Sequence, residues 1–197
     1  MRSALSTVEV ISRIILFLNE EFAPETDIHG TAIDVYGVGC LLIGPPGIGK
    51  SEAALELVER GHRLVADDQV TLKRRRADYL YASVHPRIRH HMEIRGLGII
   101  DIQSIYGVGR VRDFKRIGLL VQLEMWDEKA HYDRTGLDEA YTEILGVKLP
   151  TIRVPVRPGR NVAIIIEVAA LNQRLKEMGI HSARRLNNLI MGTDPHL

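Results

Sequence analysis

Residues 44–51, with the sequence GPPGIGKS, place the strongest constraint on how this chain folds. They match the P-loop pattern G-x-x-x-x-G-K-[ST], in which glycines let backbone N–H groups converge on phosphate oxygens. The apolar run at residues 38–43 predicts a buried strand before the motif, and residues 52–60 predict a helix after it. This order predicts a nucleotide or pyrophosphate site, with an ordinary glycine-rich turn before a helix as the alternative.

Two residues of the motif have predicted roles of their own. We expect Lys50 to reach the β- and γ-phosphates and the Ser51 hydroxyl to bind Mg²⁺. The predicted phosphate-binding residues are Gly44, Pro45, Pro46, Gly47, Ile48, Gly49, Lys50 and Ser51.

The composition is that of one globular domain with a full core, since 45% of the 197 residues are hydrophobic and 26% are charged. The net charge of +1 gives no overall attraction to nucleic acid or to a membrane surface, so neither is an expected partner. The single cysteine, Cys40, lies in the apolar run and is predicted to be buried and unreactive, which favours a cytoplasmic protein. The apolar segment at residues 8–18 is too short to span a bilayer and predicts an amphipathic helix.

The hydrophobic pattern predicts an α/β fold with a mixed, partly antiparallel sheet and C-terminal helices. Predicted helices cover residues 5–22, 52–60, 167–178 and 183–191. Predicted strands cover residues 31–36, 38–43, 63–68, 117–123, 149–156 and 161–166, with a hairpin at 69–80 and loops at 26–30 and 126–136. Residues 1–28 are predicted to be a helix and linker, and residues 29–197 a P-loop catalytic domain.

A basic run at residues 73–76 falls near the turn of the predicted hairpin. We expect a solvated turn there, and a docking patch for an acidic partner is the alternative.

Two adjacent carboxylates, Asp67 and Asp68, end the strand predicted after the P-loop helix. A strand–helix–strand crossover returns the chain to the same edge of the sheet, so we expect both near the phosphates. Phosphoryl transfer needs one carboxylate that holds Mg²⁺ and one group that accepts the proton of the attacking hydroxyl. The alternative is an aspartate pair that caps the turn after a strand.

Residues 93–102 combine Glu93 and Arg95 with two glycines and an apolar run. In an extended segment both side chains lie on one face, where the carboxylate can bind a metal while the guanidinium neutralises a phosphoryl group. An exposed ion pair would leave the same pattern. Arg134, Arg157 and Arg160 are further candidates for phosphate binding, with solvent exposure and no ligand as the alternative for each.

The P-loop together with residues 61–68, 93–102 and 155–161 resembles HPr kinase/phosphorylase. The resemblance is to the C-terminal catalytic domain of that family and extends from about residue 29 to residue 191. It implies a kinase that uses ATP or pyrophosphate to phosphorylate a serine of HPr, a phosphocarrier, in bacterial carbon catabolite control. It also implies phosphorolysis of phosphoserine-HPr, in which inorganic phosphate enters and pyrophosphate leaves. A fold like that of phosphoenolpyruvate carboxykinase around the P-loop and assembly as a homo-hexamer are implied as well.

The resemblance further assigns roles to individual residues. Asp68, with Asp67 beside it, matches the base that takes the serine proton in the kinase direction and returns one in phosphorolysis. Ser51 and Glu93 match the Mg²⁺ ligands. The implied catalytic residues are His29, Lys50, Asp67, Asp68, Arg95 and Arg134. The segment implied in dephosphorylation consists of Pro155, Val156, Arg157, Pro158, Gly159 and Arg160.

The chain departs from the family at Pro45 and Pro46, where an acidic residue and a serine are usual. Proline removes two backbone N–H donors and stiffens the loop, which leaves the preferred phosphoryl donor and its affinity open. We expect this chain to lack the family's separate N-terminal domain, as a truncated or a naturally short form would. Two other functions stay open: a kinase of the same fold with another protein or a small molecule as acceptor, and a nucleotide- or phosphate-sensing module without turnover.

Overall fold

The computed structural model describes residues 6–75, 79–130, 132 and 136–192. Its helices are α1 (Thr7–Glu21), α2 (Lys50–Glu59), α3 (Ile102–Tyr106), α4 (Val162–Glu177) and α5 (Ser182–Met191). Its strands are β1 (Glu25–His29), β2 (Thr31–Val35), β3 (Val38–Ile43), β4 (Arg63–Ala66), β5 (Gln69–Arg75), β6 (Tyr79–Ser83), β7 (His91–Ile94), β8 (Gly98–Asp101), β9 (Phe114–Met125), β10 (Ala140–Ile144) and β11 (Val147–Val156). Short 3₁₀ turns cover Pro86–Ile88 and Val108–Arg110.

The main sheet brings the ends of four strands to one edge. Its order is β1-β5-β6-β9-β3-β2-β4, with β11 paired to β9 and β10 to β11. Strand β9 is parallel to both β3 and β11, while β3 and β4 are both antiparallel to the β2 strand between them. Strands β3, β4, β9 and β11 therefore point the same way, and their carboxyl ends form one edge, which we call the carboxyl edge. In open α/β sheets this edge is where ligands bind.

The core lies on both faces of this sheet. Alternation along β3 sends Cys40 and Leu42 to the face covered by α2 and α4, and Leu41 to the opposite face with β5 and β6. Each fully buried leucine contributes about 1.5–3 kcal/mol, so the two-sided core holds the carboxyl edge in place. Helix α1 contributes no buried residue.

The predicted α/β fold with a mixed sheet and C-terminal helices is confirmed. The strand before the P-loop, the helix after it and the hairpin formed by β5 and β6 all lie where they were expected. Cys40 is fully buried, and burial raises the pKa of its thiol to about 12, so it is no nucleophile at neutral pH.

The strand predicted at residues 161–166 is wrong, because α4 begins at Val162. The side chain of Asn161 caps this helix by accepting a hydrogen bond from the Ile164 N–H at 2.8 Å. Ala163, Ile166 and Ala170 recur at helical spacing and are buried against the sheet. Packing of that face outweighs the strand preference of the β-branched run.

The loop predicted at residues 26–30 is also wrong, since β1 covers most of it. This strand pairs antiparallel with β5, and the Thr71 hydroxyl donates a hydrogen bond to Asp27 at 2.6 Å. Its alternating half-buried pattern is that of an edge strand, which polar residues also form. The neighbouring sequence did not show which strand it would pair with.

Three residues of the basic run lie within β5, before the expected turn, and Arg76 lies outside the described residues. Lys73 pairs with Glu25 at 3.4 Å, and Arg75 with Glu20 at 2.7 Å. The Arg74 guanidinium donates to the Leu145 carbonyl at 3.1 Å. The loop predicted at residues 126–136 has neither helix nor strand in the part that the structure describes. No described helix is long and apolar enough to cross a membrane.

Candidate active site

The P-loop joins β3 to α2 at the carboxyl edge. A Cβ atom at Gly44 would lie 2.5 Å from the Leu123 carbonyl oxygen, so glycine is needed for the loop to pass β9. The Lys50 ammonium donates to the carbonyl oxygens of Gly44 at 3.0 Å and Pro45 at 3.2 Å, and the residue is only 7% exposed. These contacts hold the Lys50 ammonium inside the P-loop, beside the start of α2. The amino end of a helix favours a bound anion, so both groups would attract phosphate to the same place.

Asp67 joins the P-loop to two other segments, those of Thr31 and Glu93. Its Oδ1 accepts hydrogen bonds from the hydroxyls of Thr31 at 2.7 Å and Ser51 at 3.1 Å, and its Oδ2 accepts one from the Glu93 N–H at 3.3 Å. The residue is 6% exposed. Burial raises the pKa of Asp67, and the hydrogen bonds from Thr31 and Ser51 oppose that rise. Both oxygens of this carboxylate are therefore engaged in positioning neighbouring groups.

Asp68 has the opposite environment. Its backbone φ of +66° is in the left-handed region, which turns the chain immediately after Asp67. The Asp68 carboxylate lies 3.0 Å from His29 Nδ1, with the two side chains 65% and 54% exposed. The Gly30 N–H donates to the Asp68 carbonyl at 3.1 Å and fixes this turn. Asp68 is thus open to a large substrate, whereas Asp67 is not.

Arg95 lies against the P-loop itself. A Cβ atom placed on Gly47 would lie 2.7 Å from Arg95 Nη1, so the guanidinium is in contact with the bare backbone of that glycine. Among the ion pairs of the described residues there is none between Glu93 and Arg95, which argues against the simple ion pair considered from the sequence. The hairpin of β7 and β8 therefore brings the Glu93 N–H to Asp67 and the Arg95 guanidinium to the P-loop.

The residues around Asp67 fit a magnesium ion. The Ser51 hydroxyl and the Glu93 carboxylate carry oxygen atoms, the ligands that Mg²⁺ prefers. The Ser51 hydroxyl and the Glu93 backbone N–H both donate to the same Asp67 carboxylate. In the described part of the chain no three His, Cys, Asp or Glu side chains form a metal-binding group. Mg²⁺ at phosphate sites needs no such group, because phosphates and water complete its coordination.

The segment at residues 155–160 ends β11 at the same edge. The Arg160 guanidinium donates to the Pro155 carbonyl at 3.1 Å, and the Arg160 N–H donates to the Arg157 carbonyl at 3.1 Å. The Arg157 guanidinium lies 5.0 Å from the centre of the Trp126 ring, which stacks on Tyr132 at 5.1 Å. Arg160 thus closes the turn, while Arg157 is held by an aromatic platform.

This segment is also joined to the P-loop helix. The Asn161 side-chain amide donates to Glu56 of α2 at 2.6 Å. Val156 is half-buried, while Pro158 and Gly159 are exposed. The end of β11 and the helix that begins at Lys50 therefore form one connected unit.

The structure brings together seven of the predicted site residues: His29, Lys50, Ser51, Asp67, Asp68, Glu93 and Arg95. Asp67 contacts Ser51 and Glu93, and the adjacent Asp68 contacts His29. Lys50 and Arg95 both contact the P-loop. Arg134 lies outside the described residues, and the roles of all these residues stay predictions. Neither the buried Thr31 hydroxyl nor the pair of Trp126 and Tyr132 could be predicted from the sequence. A threonine that begins a strand and an aromatic in a loop look ordinary without their partners.

Residues 20–190 match the protein family described as HPr Serine kinase C-terminal domain. HPr kinase/phosphorylase of Thermoanaerobacter sp. (strain X514) is 52% identical over 191 residues, which are 97% of this chain and 63% of that protein. HPr kinase/phosphorylase 1 of Oceanobacillus iheyensis is 54% identical over 187 residues, 95% of this chain and 60% of that protein. The chain thus spans about 60% of the length of these curated relatives.

A solved structure shares the fold. The structure of the Hpr(Ser) kinase/phosphatase from Coxiella burnetii aligns with a TM-score of 0.71 and 31% identity, over 78% of this chain and 99% of that one. With the matching family model and the relatives above, this similarity shows that the chain belongs to the HPr serine kinase C-terminal domain family.

Proposed function

We propose that this chain carries the catalytic activity of an HPr kinase/phosphorylase. It would phosphorylate a serine of HPr with ATP or pyrophosphate, and would reverse that modification with inorganic phosphate. The observation that carries the proposal is the contrast at the carboxyl edge: Asp67 is buried on the P-loop Ser51, while the next residue, Asp68, is exposed beside His29. This contrast supports a role for Asp67 toward the phosphoryl donor and a role for Asp68 toward a protein acceptor.

In the kinase direction the serine hydroxyl oxygen attacks the terminal phosphorus of the donor. The new bond joins serine oxygen to phosphorus, and the bond from phosphorus to the bridging oxygen breaks, with its electron pair leaving on ADP or phosphate. Asp68 accepts the serine proton, and its contact with His29 at 3.0 Å orients the carboxylate. Lys50 and the amino end of α2 stabilise the negative charge on the phosphates.

In phosphorolysis an oxygen of inorganic phosphate attacks the phosphorus of phosphoserine. The bond from phosphorus to the serine oxygen breaks, and that oxygen takes a proton from Asp68, while pyrophosphate forms. A single carboxylate serves both directions because it starts ionised in one and protonated in the other. The P-loop contacts phosphates mainly through its backbone, so nucleotide, pyrophosphate and phosphate can share it.

Ser51 and Glu93 would hold Mg²⁺, with Asp67 fixing the Ser51 hydroxyl. Mg²⁺ held there would neutralise negative charge on the phosphates. Arg157 and Arg134 would provide further positive charge for phosphoserine-HPr.

The remaining parts of the proposal follow the relatives. We propose a cytoplasmic homo-hexamer that acts in carbon catabolite regulation and resembles phosphoenolpyruvate carboxykinase around the P-loop. The names of the relatives at 51–54% identity support the choice of HPr as the acceptor.

The test is to incubate the chain with HPr, Mg²⁺ and γ-labelled ATP, and then to add unlabelled inorganic phosphate. We expect label on one serine of HPr, followed by its release as labelled pyrophosphate. An unrelated protein incubated in parallel should stay unlabelled. Labelling of the unrelated protein in place of HPr would contradict the proposed acceptor.

Variants at the two aspartates separate their roles. Asp68→Asn should lower kcat by about 10²–10⁴-fold with ATP affinity retained, since it removes the base and leaves the P-loop intact. Asp113→Asn is the matched control, because Asp113 precedes β9 at the opposite edge of the sheet. Equal rates for Asp68→Asn and the control would exclude Asp68 as the base.

A further inference from the structure

The first half of the P-loop in this chain lacks backbone donors that other residues would supply. Pro45 and Pro46 have no N–H group, and the Ile48 N–H donates to the Pro45 carbonyl at 3.3 Å within the loop. Three of the eight residues of the motif, namely Pro45, Pro46 and Ile48, therefore offer no backbone hydrogen bond to an anion in this conformation. A loop of this kind normally binds phosphate through such groups.

A guanidinium lies beside this donor-poor part of the loop. Nη1 and Cζ of Arg95 are 2.7 Å and 3.3 Å from the position of a Cβ atom on Gly47, the residue directly after Pro46. Gly47 has a φ of +77°, so a side chain there would be strained as well as obstructed. Glycine thus leaves the space that the Arg95 side chain occupies.

The Arg95 donors are available to a ligand. The residue is exposed, and within the described ranges no hydrogen bond or ion pair joins its guanidinium to another residue. Guanidinium presents its donors in a planar fork that matches two phosphate oxygens. Five N–H groups at this position exceed the two that the prolines remove.

We propose that Arg95 supplies the hydrogen bonds to the terminal phosphates of pyrophosphate or ATP that Pro45 and Pro46 cannot donate. The identity of the ligand rests on the proposed function. Arg95 then determines affinity for a polyphosphate anion, and the two prolines make that affinity more dependent on Arg95 than it would be in a loop with a full set of donors.

The test is a double-mutant cycle read by calorimetric titration with inorganic pyrophosphate and Mg²⁺. The proteins are the unaltered chain, Arg95→Gln, Pro46→Ser and the double variant. Arg95→Gln should weaken pyrophosphate binding by about 10–100-fold, the range for hydrogen bonds to a charged group. In the Pro46→Ser background, where a backbone N–H is restored, the same change should cost at least about threefold less. Equal losses in both backgrounds would overturn the proposal.

Two further variants test the geometry and do not depend on the folding of Pro46→Ser. Arg95→Lys should bind almost as weakly as Arg95→Gln, because an ammonium group lacks the planar fork. Arg63→Gln removes the same charge at the opposite end of β4 from the carboxyl edge, and should bind like the unaltered chain. Full affinity in Arg95→Lys, or equal weakening by Arg63→Gln, would overturn the proposal.

The outcomes also separate this proposal from the proposed function. Pyrophosphate that binds through Arg95 without any transfer to HPr would contradict the proposed function and leave the Arg95 proposal standing. Transfer from ATP to HPr, combined with pyrophosphate affinity that is independent of Arg95 or absent, would overturn the Arg95 proposal alone.

Discussion

Gly39 lies in β3 where this strand passes β9, and it leaves no room for a side chain. A Cβ atom there would be 2.1 Å from the Arg116 carbonyl oxygen, and the pairing of the two strands shifts register at this point. We expect Gly39→Ala to lower the free energy of unfolding by about 3 kcal/mol or more, because the clash is with backbone. Urea denaturation followed by circular dichroism measures this change.

Gly109→Ala is the matched control for this substitution. No atom lies within 4 Å of a Cβ at Gly109, and its φ is not in the left-handed region. We expect a gain of about 0.4–1 kcal/mol, because alanine restricts the unfolded chain. Equal stabilities of the two variants would show that β3 and β9 adjust freely, contrary to the packing described above.

At the scale of elements, Asn161 joins two helices with one side chain. Its oxygen caps α4 by accepting from Ile164, and its amide donates to Glu56 of α2. We expect Asn161→Ala to cost about 1–2 kcal/mol of stability in thermal or urea unfolding. Asn161→Ser keeps the cap and loses the contact with Glu56, so it should recover most of that loss. A serine variant as unstable as the alanine variant would assign the effect to the Glu56 contact.

Glu167 fixes α4 to the end of α2. Its carboxylate accepts from Arg60 at 2.6 Å and contacts His62 at 2.9 Å, and the residue is buried. The hydrogen bond from Arg60, assisted by His62 and opposed by burial, lowers the pKa of Glu167 below its usual 4.5. A carboxylate with a lowered pKa stabilises the fold above pH 4.5, and this contribution is lost as the pH falls through the folded-state pKa.

We therefore expect Glu167→Gln to lower the free energy of unfolding by about 1–3 kcal/mol at neutral pH. The difference from the unaltered chain should shrink below pH 4.5. Urea denaturation at a series of pH values measures it, with the exposed Glu143→Gln as a control that changes little. A difference that stays constant down to pH 3 would contradict an ionised Glu167 in this network.

At the scale of the whole molecule, α1 is separate from the core. It has no buried residue, and an ion pair at 2.7 Å between Glu20 and Arg75 connects it to β5. Exposed ion pairs contribute about 0–1 kcal/mol. We expect deletion of residues 1–22 to lower the free energy of unfolding by less than about 1 kcal/mol, measured by urea denaturation at low protein concentration. A loss of several kcal/mol would mean that α1 packs on the domain in solution.

The sequence predicted most elements whose pattern is local. The P-loop, the strand before it and the helix after it follow from a short motif with an apolar run on one side. It failed at residues 161–166, where an apolar β-branched run fits a strand or a buried helix equally well until its packing partner is known. The sequence-based prediction was also wrong at β1. This exposed edge strand forms because it pairs with β5, and its own composition does not favour a strand.

Contiguous patterns in the sequence, the P-loop and residues 93–102, were enough to predict a phosphate site and to identify the family of the chain. The difference between adjacent Asp67 and Asp68 arises only in the folded chain, because their partners come from segments distant in sequence. Asp67 accepts hydrogen bonds from Thr31 and Ser51, while Asp68 is exposed beside His29. The tertiary structure also decided that Arg95 lies on Gly47, a contact between residues 48 positions apart in the chain. Contacts of this kind depend on how strands cross at the carboxyl edge, which no local pattern encodes.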